Sequence, residues 1–146
     1  LVYEGTFKQI FYDGSIKTGL EFLDHFKNTS HLYILKNKND VSDLGLVWTN
    51  TFDQKTAQVH GTLFKGALRK EPDCGKHVLR DILNLGYDSL TGTIPAGNRI
   101  ANRLVVSWGM NLLGTIPNHC YLHYKKKTED GNIYYITKED FISENL

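Results

Sequence analysis

The sequence predicts a mixed α/β domain, an antiparallel N-terminal meander followed by a β-α-β-α-β-β run. Three observations carry this. Residues 31–36, 44–49 and 57–64 are short, rich in Leu, Val, Ile, Tyr and Trp, and separated by polar stretches of hairpin length. Val78, Leu79, Ile82 and Leu83, and then Ile100, Ala101, Leu104, Val105 and Trp108, fall on single helical faces. Finally, Gly-Thr-Ile-Pro occurs twice, at Gly92 and Gly114, with the second helical stripe between the copies. Two copies do not make a solenoid, which needs at least three units. Strand, helix and strand in this order make a crossover, so the two copies run parallel.

In chain order, residues 3–12 are aromatic and alternating and read as a strand, closed by the Asp13-Gly14 turn signal. Thr18-Gly19-Leu20-Glu21 reads as a capping box, with Thr18 as N-cap. Leu20, Leu23 and Phe26, extended backward by Ile16, predict a helix over residues 15–27. Asn37 to Asp40 and Asp53 to Lys55 connect the meander strands. Residues 66–73 read as a polar loop. Gly86 fits a helix C-cap and Asn98 an N-cap. Residues 90–94 and 112–116 read as strands ended by Pro95 and Pro117, with Gly109 stopping the helix between them. Residues 120–124 and 133–136 read as a closing hairpin across Gly131-Asn132.

At 146 residues the chain suits one domain, residues 1–146. Hydrophobic residues make up 40% and charged residues 23%, with a formal net charge of +1, a balance that does not point to nucleic acid. Lys125, Lys126 and Lys127 form a basic run that reads as a solvated loop. No apolar run approaches the ~20 residues that span a bilayer, and no secretory signal is visible. The first residue is Leu1 rather than Met, so leading residues are expected before it. Two cysteines, Cys74 and Cys120, make no disulfide framework, and the expected setting is the reduced cytoplasm. In a strand His119 and His123 share a face while Cys120 points away, so no metal is expected there. Cys120 reads as a small buried hydrophobe, and Trp48 and Trp108 as core residues.

The strand Leu90-Thr91-Gly92-Thr93-Ile94-Pro95, the helix Asn98-Arg99-Ile100-Ala101 leading to Trp108-Gly109-Met110, and the strand Leu112-Leu113-Gly114-Thr115-Ile116 carry a family resemblance. They resemble "L-x-G-x-I-P", "N-x-x-S/A … L-G-F" and, without its Glu, "F-x-x-E-G-x" of the GNAT superfamily of acyl-CoA-dependent N-acyltransferases. Val59-His60 resembles small bacterial and phage members. The match covers residues 57–118 by motif and the rest by element order. It implies a splayed central strand pair, with the thioester arm of the acyl donor in the gap.

The family's diphosphate loop, Q/R-x-x-G-x-G/A, is degenerate here: Gly75 fits the first Gly, but Pro72 stands in place of Gln or Arg and His77 in place of the second small residue. A helix N-terminus still offers unpaired N–H groups and a positive dipole end. The resemblance therefore implies that Cys74, Gly75, Lys76, His77 and Val78 hold the diphosphate, and that Gly61, Thr62 and Asn98 line the pantetheine arm. A backbone amide on the His60 strand would polarise the thioester carbonyl.

Acyl transfer needs a base for the amine. His60 is the candidate, because imidazole titrates near neutrality; Glu71 is the fallback. The family's usual acid, a Tyr on the last helix, is replaced by Val105, Val106 and Ser107. Ser107, Tyr121 and Tyr124 are the remaining proton donors nearby. The implied activity is transfer of acetyl from acetyl-CoA to a primary amine of a small molecule or protein. The alternative is a catalytically inactive module of the same fold, a phage virion or host-interaction protein, with a homodimer or virion assembly as partner.

Overall fold

The computed structural model describes residues 11–26 and 31–144. Most of the expected strand over residues 3–12 lies outside them. Residues 11 and 12 belong to a turn, in which Gly14 N donates to Phe11 O at 2.9 Å. Gly14 sits at φ 78°, the left-handed region that the turn demands.

Helix α1 spans Gly19–Phe26. Its capping box forms: Glu21 N donates to Thr18 Oγ1 at 3.2 Å, and Thr18 N donates back to Glu21 Oε2 at 3.2 Å. The helix starts later than the expected residue 15 because a capping Thr18 lies outside the helix by definition. The buried face also differs. Leu20 is 80% exposed and Leu23 is exposed, while Ile16 and Phe22 enter the core. Phe22 sets that face by meeting Trp48 edge-on at 5.9 Å, with Phe11 stacked on the same indole at 5.8 Å.

Strands β1 (His31–Lys36), β2 (Asp43–Thr51) and β3 (Thr56–Leu63) form the expected antiparallel meander. Asp53 Oδ1 accepts from Lys55 N and Thr56 N at 2.7 and 2.8 Å, an Asx turn that closes the second hairpin. The chain then crosses through α2 (Ala67–Lys70) and α3 (Cys74–Asn84) to β4 (Ser89–Pro95). The stretch expected as loop thus contains a short helix. Next come α4 (Arg99–Ser107), β5 (Asn111–Leu122), a 3-10 turn (His123–Lys125), β6 (Lys127–Thr137) and α5 (Lys138–Glu144). The strands form one six-stranded sheet in the order β1-β2-β3-β4-β6-β5.

Both Gly-Thr-Ile-Pro strands pair antiparallel with β6, so they run parallel to each other with β6 between them. β5 does not stop at Pro117. It continues to Leu122 through an irregular stretch between Ile116 and Cys120, where Asn118 takes φ 53° and its N donates to Asp130 Oδ1 at 3.0 Å. A proline survives here because β5 is an edge strand and the missing donor is not needed. Gly131-Asn132 lies inside β6, and the true hairpin turn is the 3-10 segment ending on Lys126 at φ 49°.

One face of the sheet buries Val47, Ala57, Leu90 and Ile136 against Val78, Leu79, Ile82 and Leu83 of α3, with Met110, Tyr134 and Phe141. Each such Val, Leu or Ile contributes about 1.5–3 kcal/mol on burial. The other face holds the smaller cluster of Phe11, Ile16, Phe22 and Trp48. Helix α4 departs from expectation: Ile100 is 72% exposed and no residue of the helix is fully buried. Polar contacts bind it instead. Asn102 Nδ2 donates to Pro95 O and Asn98 O at 3.0 and 2.8 Å, and Asn102 Oδ1 accepts from Tyr134 Oη at 2.6 Å and Asn132 Nδ2 at 2.9 Å. No helix among the described residues is long and apolar enough to cross a membrane.

Candidate functional site

β3 and β4 are parallel neighbours, but they pair only from Thr56 to Gln58 against Ser89 to Thr91. Beyond that they part, although each keeps its other partner: β3 pairs with β2 to Leu63, and β4 pairs with β6 to Pro95. The result is a fork that opens toward the carboxyl ends of both strands, a favoured place for ligands in α/β sheets. The central strand pair is therefore splayed, as the fold class anticipated.

The fork is lined by main chain. Backbone groups of successive strand residues point to opposite edges. Phe64 N donates to Leu44 O and Thr56 O accepts from Phe52 N, so the even positions face β2. Val59, Gly61 and Leu63 therefore turn their N–H and C=O into the fork. Gly61 is exposed there. Gly92 stands opposite: a β-carbon built on it would come within 3.6 Å of Val59 O.

The two faces of the fork differ in chemistry. On the α3 side lie Val59, Leu90, Ile94 and Met110, all apolar. On the α1 side lies His60, half-buried, its ring stacked on Trp48 at 5.4 Å with 14° between planes. Asn50 Nδ2 lies 3.1 Å from His60 Nε2. Burial, and then the nearby His25, push the His60 pKa down to about 4. The imidazole is therefore neutral at pH 7 and keeps a lone pair. Thr62 shares its face of the strand.

Helix α3 begins near this opening, in the crossover that follows β3. Cys74 N donates to Glu71 O and His77 N to Asp73 O. Gly75 and Lys76 N–H have no backbone acceptor among the described residues, and Asp73 gives the helix no side-chain cap. Lys76, His77 and Arg80 line a cleft of about 210 Å³ with Asp73 and Phe141. His77 leans toward Glu71, at 3.9 Å. Cys74 is buried and its thiol pKa is raised, chiefly by that burial, which leaves it unreactive. Val78 is spent in the core.

Gly75 has a second reason to be glycine. A β-carbon on it would fall inside the Trp108 indole, which lies against it and donates from Nε1 to Pro72 O at 3.2 Å. Trp108 links the end of α4 to the start of α3, a role beyond the core packing expected of it. Asn98 caps α4 as expected, accepting from Ala101 N at 3.2 Å. Ser107 is exposed and donates to Leu104 O of its own helix at 2.7 Å. Tyr121 and Tyr124 sit on the exposed end of the β5–β6 hairpin beside His123. Lys125 and Lys127 lie 3.8 and 3.1 Å from Glu129.

The structure thus gathers His60, Gly61 and Thr62 on one fork strand, while Asn98 caps the helix that follows the other. The first turn of α3 lies on the crossover between the two strands. Ser107, at the far end of α4, is not among them. Asn50, Asn102 and Tyr134 went unread in the sequence, because each depends on cross-strand register rather than on a local motif.

No family model and no curated protein matches the sequence. Solved structures do match in fold. The spermidine N-acetyltransferase from Vibrio cholerae in complex with CoA and spermine superposes with a TM-score of 0.72 at 12% identity, over 92% of this chain and 84% of that one. A provisionally assigned phosphinothricin N-acetyltransferase gives a TM-score of 0.62 at 23% identity, over 82% of this chain and 80% of the other. At these identities the likeness establishes the fold, which is that of these N-acetyltransferases.

Proposed function

We propose that the protein transfers an acetyl group from acetyl-CoA to a primary amine. One observation carries the reading: the parallel pair β3–β4 opens after three residue pairs, with a neutral imidazole on one face of the opening and the Lys76 N–H, without a backbone acceptor among the described residues, on the crossover between the strands.

The residues present fit acetyl-CoA. Lys76 N–H, at the positive end of the α3 dipole, and the Lys76 and Arg80 side chains suit a diphosphate. The strand edge that β4 leaves unpaired at Gly61 and Leu63 suits an amide-bearing arm, and Asn98 and Thr62 lie toward its path. Bound there, acetyl-CoA would supply the activated thioester. Gly61 N–H is the donor suited to charge building on a carbonyl oxygen. His60 would accept the proton that the attacking amine releases. With Ser107 tied to Leu104 O, the proton returning to the leaving thiolate comes from water or from the amine itself. The acceptor approaches from the α1 side, where His60 and the aromatic cluster lie.

The test is acetyl transfer to a panel of amines, followed by loss of acetyl-CoA. Activity in the wild type that falls 100-fold or more in His60→Ala supports the reading. Activity unchanged by that substitution removes His60 from it.

A second reading, an inactive module used for assembly, is favoured by two observations. Trp108 covers Gly75, and β5 is an edge strand exposing Leu112, Leu113 and Ile116. It takes a second copy of the chain as partner. A concentration-dependent dimer in light scattering, lost in Leu113→Lys, together with no acetyl-CoA binding, would favour it.

A further inference from the structure

Among the described residues, Gly45, Gly75, Gly92 and Gly131 are the buried glycines. Three of them leave no room for a side chain. A β-carbon on Gly45 would run into Thr62 O, one on Gly75 into the Trp108 ring, and one on Gly131 would lie 2.8 Å from His119 Cδ2. Gly92 differs. Its φ is not left-handed, and a β-carbon there would meet Val59 O at 3.6 Å, Met110 Cε at 3.9 Å and Val59 Cγ1 at 4.0 Å, all ordinary contacts. Neither backbone conformation nor packing requires glycine at this position. Glycine inside a strand weakens it and often marks the close approach of a ligand.

The room beside Gly92 has a definite place and chemistry. Gly92 follows Thr91 and Val59 follows Gln58, the last pair that joins β3 to β4, so the space lies at the vertex of the fork. It is on the α3 side, walled by Val59 and the Met110 thioether methyl, with Leu90 and Ile94 along the same face of β4. Tyr134 stands opposite Gly92 in register, but its hydroxyl is tied to Asn102 Oδ1 at 2.6 Å, and none of its atoms is among the three nearest. An apolar space that admits one carbon suits a methyl. Gly61, whose N–H suits a thioester oxygen, is the next fork-facing residue of β3, about 6–7 Å along the strand. An acyl group held by that N–H has its methyl end within reach of Gly92. A further carbon would run against Met110 or Val59.

We infer that the space beside Gly92 seats the methyl of the acyl group, and that Val59 and Met110 restrict that group to two carbons. The acyl length set here presupposes the acetyl-transfer reading.

Calorimetric titration of the full chain with CoA and with acetyl-CoA reads the slot without any reaction. Gly92→Ala puts the protein's own methyl where the acyl methyl would lie. It should melt at or above the wild-type temperature, since its β-carbon meets only ordinary contacts. It should bind acetyl-CoA about 10-fold or more weakly and CoA, which has no acyl group, within about 2-fold of wild type. In acyl transfer, wild-type kcat/KM should fall about 10-fold or more from acetyl-CoA to propionyl-CoA, and further for butyryl-CoA. Met110→Ala, which moves one wall back, should bring propionyl-CoA to within a few-fold of acetyl-CoA. If Met110→Ala does not fold, the Gly92→Ala titrations decide. A wild type that uses butyryl-CoA as well as acetyl-CoA overturns the inference, as does a Gly92→Ala protein that binds the two ligands in the wild-type ratio. If acyl length matters to binding but no amine is acetylated, the slot stands and the transfer reading falls. If acetylation proceeds whatever the acyl length, the slot falls alone. Binding of neither CoA nor acetyl-CoA removes both.

Discussion

His60 holds its proton weakly because charging it means charging a buried ring beside His25. The consequence for stability has a definite sign. The folded pKa, about 4, lies below the ordinary 6.5, so between these values the unfolded chain binds a proton that the native chain refuses. Stability is complete above about pH 6.5 and declines as pH falls toward 4, by about 3 kcal/mol in all. Urea titrations at pH 7 and pH 4.5 should show this drop, and His60→Gln should reduce it. A drop of equal size in the variant assigns acid sensitivity to other groups. At this scale the sequence was legible where chemistry is local. His60 beside Gly61, Asn98 as a cap and the Thr18–Glu21 box were all readable from neighbouring residues. Asn50 was not, because its meaning comes from a diagonal contact that exists only once β2 and β3 are in register.

At the scale of elements, α4 shows that periodicity alone does not decide burial. Its apolar stripe is real, yet Ile100 faces out, and the helix is tied down by Asn102 through four hydrogen bonds. Removing that side chain orphans Tyr134 Oη and Asn132 Nδ2 together. Asn102→Ala should therefore cost about 2–4 kcal/mol in a denaturant melt, against about 1 kcal/mol for Thr18→Ala at the exposed cap of α1. A loss below 1 kcal/mol at Asn102 would mean that water replaces the network. The start of α3 makes a second case. Gly75→Ala pushes a methyl into the Trp108 ring and should cost about 1–3 kcal/mol. In a Trp108→Ala background the same change should be close to neutral or stabilising, as alanine favours helix. Equal costs in both backgrounds would dissolve the contact. Pro117 misled for a related reason: a proline marks the end of a central strand, but on an edge it sits within one, beside a bulge. Whether β5 lies at an edge is a property of the sheet, not of the segment.

For the molecule as a whole, strand order does the functional work. β6 returns between β4 and β5, which braces β4 along its far edge while its near edge leaves β3 after Thr91. β2 braces β3 in the same way. The fork therefore stays open in a sheet that is otherwise fully paired around it, and the unpaired edge of Gly61 costs nothing that a ligand amide or water does not return. The parallel direction of the two Gly-Thr-Ile-Pro strands was evident from the chain, while the insertion of β6 between them was not read from it and is seen only in the sheet order. The most direct test of the whole account is calorimetric titration with acetyl-CoA beside acetyl-pantetheine, which keeps the thioester arm and lacks the diphosphate. A fork that takes the arm and an α3 turn that grips the diphosphate predict micromolar binding of acetyl-CoA and binding at least about 10-fold weaker for acetyl-pantetheine. No heat from acetyl-CoA at millimolar concentration, or equal affinity for the two, would contradict it.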